Sequence, residues 1–132
     1  PREDLIASRD DVQATIGDET ICLINALDPD EFSGRPPQRY ARPGRIPDSV
    51  NVPFSMTVDL PTQTFVDDAA LREQFDDVGA LDKKRVIAYC GGAIAASNTV
   101  FALTRLGVDN VALYDGSLTE WTSDPELPME TG

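Results

Sequence analysis

Apolar residues along the chain come in short unbroken runs, parted by polar stretches where glycine and proline recur. Ile21-Cys22-Leu23-Ile24, Val86-Ile87-Ala88-Tyr89 and Val111-Ala112-Leu113-Tyr114 are runs of this kind. They are too short for helices and lack the alternation of a half-exposed strand. They predict strands buried on both faces, as in a parallel sheet. Ser49-Val50-Asn51-Val52, stopped by Pro53, predicts one more brief strand. Between the runs lie helix signals. Ser8 stands as an N-cap before a helix from Arg9 to about Ile16, with Gly17 as its stop. Asp28-Pro29-Asp30-Glu31-Phe32 offers a cap, a proline at the first helical position and acids in the first turn, and Gly34 ends it. Asp67 caps a helix to about Asp77. Ala95 to Leu106 is the longest helix, ended by Gly107, and Ser117 to Trp121 gives a last turn before Asp124-Pro125. Residues 35–48, rich in proline and arginine, read as loop. Strands alternating with helices predict an α/β fold with a central parallel sheet and helices on both faces. Phe32, Phe54, Phe75, Phe101 and Trp121 are expected in the core.

Composition narrows the functional classes. The 132 residues fit one domain. The net charge of −12 repels nucleic acid and anionic membranes, so neither is expected as a partner. No apolar run approaches the roughly 18 residues of a membrane helix. The chain has no histidine, which excludes a Ser–His–Asp triad, a Cys–His dyad and a histidine-based metal site within it. No metal and no cofactor is expected. The two cysteines, Cys22 and Cys90, sit in different contexts and are read as free thiols of a reducing, cytoplasmic compartment. Cys22 lies inside an apolar strand and reads as packing.

Cys90 is the candidate for chemistry. In Val86-Ile87-Ala88-Tyr89-Cys90-Gly91-Gly92-Ala93-Ile94-Ala95-Ala96-Ser97 a buried strand ends in a cysteine, a small-residue loop follows, and a long helix begins. Backbone N–H groups of such a loop, and the helix N-terminus, favour a thiolate over a thiol. Gly91 and Gly92 remove the Cβ atoms that would obstruct a bound anion. Arg35, Arg39, Arg42 and Arg45 gather in one loop of an otherwise acidic chain. They read either as solvated neutralisers of acidic neighbours or, for Arg42 and Arg45, as groups that lean over Cys90 and bind an anionic substrate.

Tyr89-Cys90-Gly91-Gly92 followed by a small-residue helix resembles the active-site loop of the rhodaneses and mercaptopyruvate sulfurtransferases. Asp28-Pro29-Asp30-Glu31-Phe32-Ser33-Gly34 resembles that family's segment after the first core strand. Gly44-Arg45-Ile46-Pro47-Asp48-Ser49-Val50-Asn51-Val52-Pro53 resembles its Gly-His-Ile-Pro-Gly-Ala motif, and Tyr114-Asp115-Gly116-Ser117-Leu118-Thr119-Glu120-Trp121 the C-terminal motif of two-domain members. The matches fall in order over almost the whole chain. The resemblance implies a rhodanese-like fold, Cys90 as sulfur-carrying nucleophile, and a site formed by Gly91, Gly92, Ala93, Ile94, Ala95, Arg42 and Arg45. It implies sulfane sulfur taken from a small anionic donor, thiosulfate or 3-mercaptopyruvate, and passed to cyanide or a thiol through a Cys90 persulfide. With Asp4-Leu5-Ile6-Ala7-Ser8-Arg9 it suggests the second half of a tandem protein, preceded by another such domain. The chain departs from the pattern in places. Its loop carries no basic residue, Leu27 stands where arginine is usual, Arg45 where histidine is usual, and Leu118 where Trp or Phe is usual. These departures leave open a weakened module that carries sulfur or binds a partner. A cysteine phosphatase would need arginine six residues after Cys90, where Ala96 stands.

Overall fold

The computed structural model describes residues 6–35, 40–54, 57–59, 64–65, 67–91 and 94–131. In chain order the elements are β1 (Ile6–Ala7), α1 (Arg9–Gln13), β2 (Ile21–Asn25), α2 (Pro29–Ser33), β3 (Ser49–Asn51), β4 (Val58–Asp59), β5 (Thr64–Phe65), α3 (Asp68–Asp77), β6 (Arg85–Tyr89), α4 (Ile94–Arg105), β7 (Val111–Tyr114) and α5 (Ser117–Trp121). Five strands form one sheet in the order β1-β7-β6-β2-β3, every pair parallel. β4 and β5 make a separate antiparallel ribbon. The fold is therefore α/β with a central parallel sheet, as the unbroken apolar runs require.

Strand alternation sorts the core into two layers. On one face Leu23, Ile87, Tyr89, Ala112 and Tyr114 pack with Val12 of α1 and with Leu118 and Trp121 of α5. On the other, Cys22, Ile24, Val86 and Val111 pack with Leu71 and Phe75 of α3 and with Ala102, Leu103 and Leu106 of α4. Helices thus cover both faces, as expected.

Most element ends obey the local signals. Ser8 and Asp11 form a reciprocal capping box, Asp28 caps Glu31 N–H, Asp67 caps Ala70 N–H, and Gly34 closes α2 at φ 88°. α1 is shorter than its pattern suggests. Beyond Gln13 the amides of Thr15 and Ile16 bond three residues back, to Val12 and Gln13, which tightens the last turn out of the α-helix. Of the expected core aromatics, Phe75 and Trp121 are fully buried. Phe101 is a correction, since it lies on the outer side of α4 and is 62% exposed. α4 meets the sheet through Ala102, Leu103 and Leu106, and Phe101 falls off that stripe.

Candidate active site

β6 is the middle strand of the five, and Cys90 is the residue that follows it. Parity decides where its side chain goes. Val86, Ala88 and Cys90 share one side of the strand line, the side that α4 covers. Cys90 accordingly packs among Ala26, Ala88 and Ala96, with Leu27 and Ala95 against them. The alanines matter because they bring the head of α4 close to the sheet. Cys90 Sγ accepts the Ala96 N–H at 3.3 Å. Ala96 is the third residue of α4, so its amide is one of the first-turn donors that a helix leaves without an internal partner. The sulfur fills the place that a capping oxygen usually takes, at the positive end of a 12-residue helix. Cys90 is 2% exposed.

The loop backbone is gripped from the other side by α5. Leu118 N–H donates to the Cys90 carbonyl at 2.9 Å, and Thr119 N–H to the Gly91 carbonyl at 3.1 Å. Thr119 Oγ1 donates to the same Gly91 carbonyl at 2.7 Å. Cys90 N–H donates to Ser117 Oγ at 3.1 Å. With the Cys90 carbonyl turned toward α5, the trans peptide directs Gly91 N–H the opposite way.

Tyr89 anchors the same strand end from the face opposite Cys90. Its fully buried hydroxyl accepts from Asn25 Nδ2 and from Ile46 N–H, both at 3.1 Å. It lies 2.9 Å from Ser49 Oγ, which itself donates to the Ile46 carbonyl, so the Tyr89 hydroxyl is the donor of that pair. Burial holds this phenol above its ordinary range and therefore neutral. The network joins β2, β6 and the segment before β3 just below the site.

The expected site residues fare differently. Cys90, Gly91 and Ala95 come together, and Ile94 opens α4. Gly92 and Ala93 lie outside the described residues. Arg45 is held by Glu130 at 3.2 Å, stacks over the Phe32 ring at 4.4 Å and donates to the Phe32 carbonyl. It also joins Glu130 by a backbone bridge. Arg42 donates through Nη2 to the Asp124 carbonyl at 2.9 Å, while its Nε is buried and makes no hydrogen bond. Arg42 keeps donor capacity beyond its bond to Asp124. The sequence pattern passed over Tyr40. The hydroxyl end of its ring stands against Gly91, so that a Cβ there would lie 1.6 Å from the Tyr40 hydroxyl oxygen. The only sequence signal for it is an aromatic among the arginines of a loop that otherwise lacks one. Cys22 is a free, buried thiol at the opposite end of the sheet, and desolvation pushes it up to about 11. Among the described residues no cluster of His, Cys, Asp and Glu could hold a metal ion.

The family model for the rhodanese-like domain matches residues 8–124. The chain belongs to the rhodanese family. Over its whole length this rhodanese domain is 38% identical to a protein of Mycolicibacterium smegmatis provisionally named a thiosulfate sulfurtransferase, covering 50% of that protein. It is 35% identical to thiosulfate/3-mercaptopyruvate sulfurtransferase 2 of Arabidopsis thaliana, over 97% of this chain and 38% of that one. The chain thus spans about half the length, or less, of these relatives. Among solved structures, the anaerobic ergothioneine biosynthesis enzyme from Chlorobium limicola superposes with a TM-score of 0.91 at 24% identity, over 99% of this chain and 33% of that one. At that identity the likeness establishes the fold. No helix among the described residues is long and apolar enough to cross a membrane.

Proposed function

We propose that this rhodanese domain is a sulfurtransferase that moves a sulfur atom from a small anionic donor, thiosulfate or 3-mercaptopyruvate, to cyanide or a thiol, with sulfite or pyruvate as the group left behind. The observation that carries the reading is the Cys90 sulfur seated on the Ala96 amide at the head of α4. A helix N-terminus stabilises negative charge, which is what a nucleophilic sulfur holds before it attacks and again once it is loaded. In the first half-reaction the Cys90 thiolate attacks the outer sulfur of thiosulfate. The new S–S bond forms as the old one breaks, and sulfite leaves with the bonding electron pair. In the second, cyanide attacks the terminal sulfur of the Cys90 persulfide, thiocyanate departs, and the thiolate returns. Gly91 and Ala95 flank the sulfur on the two sides of the loop, next to it in the chain and in the packing around it. Arg42 meets the donor's sulfonate or carboxylate through the nitrogens not bonded to Asp124. Arg45 serves the frame through Glu130 and Phe32.

The test is thiocyanate formation with thiosulfate and 3-mercaptopyruvate measured separately, with Cys90→Ser as the blank. Turnover with at least one donor, absent in Cys90→Ser, is expected. Arg42→Ala should raise the donor KM roughly tenfold, the loss of one charge-assisted hydrogen bond, with little change in kcat. A wild-type rate in Cys90→Ser would refute the reading. The deep burial of Cys90 also favours a second reading, a carrier that shelters a persulfide. Persulfide on Cys90 by mass spectrometry, without turnover of either donor, would select it. The span of the relatives supports a preceding domain in the full protein, and a cytoplasmic, reducing compartment suits two free thiols.

A further inference from the structure

Ser117 opens α5 in a conformation that serines avoid. Its φ is +51°, in the left-handed region, and the residue is fully buried. A serine at a helix start ordinarily turns its hydroxyl onto the amides of its own first turn. Here α5 has no side-chain cap. The Ser117 hydroxyl instead accepts Cys90 N–H at 3.1 Å and donates to the Tyr114 carbonyl at 2.9 Å. The amides that it leaves alone, those of Leu118 and Thr119, take the carbonyls of Cys90 and Gly91. The orphan donors of α5 are thereby satisfied by the nucleophile's own loop, and one oxygen ties that loop to the end of β7.

We infer that Ser117 is the positioning residue of the sulfur site, its hydroxyl fixing the Cys90 backbone so that Sγ lands on the Ala96 amide. The side chain of Cys90 has one rotatable bond between backbone and sulfur, so the position of its N and Cα sets the position of Sγ. A strained backbone persists only where its surroundings hold it, and here the hydrogen bonds of Ser117, Leu118 and Thr119 run to the Cys90 loop and to β7. The inference rests on Cys90 as the reactive sulfur, and its test is independent of any sulfur donor.

The experiment is the rate of iodoacetamide alkylation at Cys90 in the intact chain, read by mass spectrometry, with Cys22 as the buried internal reference. Ser117→Ala removes the hydroxyl and keeps the strain. Ser117→Gly removes both, so it should melt at a higher temperature than Ser117→Ala. Both should slow alkylation roughly tenfold, since small displacements of a reacting atom carry penalties of that order. A purely structural serine would let Ser117→Gly, the more stable variant, react at the wild-type rate or faster, and that result overturns the inference. Should either variant fail to fold, Thr119→Val decides. It lies on the surface, removes only the Thr119 Oγ1 bond to the Gly91 carbonyl, and should slow alkylation roughly fivefold. An unchanged rate there would count against the grip of α5 as a whole. With a competent donor, the Ser117 variants should lose kcat and keep their donor KM. A wild-type chain inert toward both donors, but with Ser117-dependent alkylation, would sink the sulfurtransferase reading and leave this one standing.

Discussion

A methyl group added at Gly91 would stand 1.6 Å from the Tyr40 hydroxyl oxygen and 2.4 Å from its Cζ. Neither atom is at the end of a long flexible chain, so the ring or the loop must move. Gly91→Ala is expected to destabilise the protein by about 1–3 kcal/mol, the usual cost of overpacking. It should also depress Cys90 alkylation. Placed in a Tyr40→Ala chain, the same change should cost far less, and urea unfolding of the four-member cycle measures the difference. Equal penalties in both backgrounds would show that Tyr40 does not confine the loop. Legibility at this scale followed sequence distance. Cys90 was readable because strand, cysteine, small loop and helix are contiguous. Tyr40 and Ser117 were not, since each meets the loop only after the chain has folded. The surroundings of Arg45 were hidden for a related reason. Its charge is visible in sequence, whereas Glu130 and the Phe32 ring that hold it are distant in the chain.

Among the elements, α5 does two tasks with five residues. One end grips the Cys90 loop and the other buries Trp121, whose ring meets Tyr114 edge-on at 6.3 Å and whose Nε1 donates to the Pro128 carbonyl. A helix of this length has no stability of its own, so its docking must hold it. Trp121→Ala should cost about 3–5 kcal/mol, a large share of the roughly 5–15 kcal/mol that holds a domain together. The reactivity of Cys90 should fall alongside. Urea unfolding followed by circular dichroism checks the first, and a loss below about 1 kcal/mol would mean that the loop contacts alone secure the helix. Element bounds were legible where two signals coincided. A cap before a periodic run gave α3, and turn residues around an apolar run gave β6 and β7. The pairs β1, β4 and β5 went unseen, because two residues carry no period.

At the scale of the whole molecule, a net charge of −12 surrounds a site proposed to take anions. Repulsion over that field should slow the encounter with a divalent donor, and salt should relieve it. The kcat/KM for thiosulfate is expected to rise as KCl goes from about 0.01 M to about 0.15 M, while the Debye length shrinks from about 30 Å to about 8 Å. A fall over that range would show that the local arginines outweigh the global charge. The fold itself was the most legible level, since unbroken apolar runs alternating with capped helices admit few architectures besides a covered parallel sheet. The layer that each helix occupies was not legible, because it depends on crossovers that leave no local mark. The distance along the chain between Cys90 and Ser117 has one more consequence. The two lie 27 residues apart, with the nucleophile first. A ribosome therefore adds the cysteine and its loop to the chain before it adds the hydroxyl proposed to seat them. Until α5 has emerged and docked, the backbone of position 90 lacks the bonds to Ser117, Leu118 and Thr119 that hold it. The proposed sulfur site is thus completed late in synthesis, after most of the sheet that shelters it has been made.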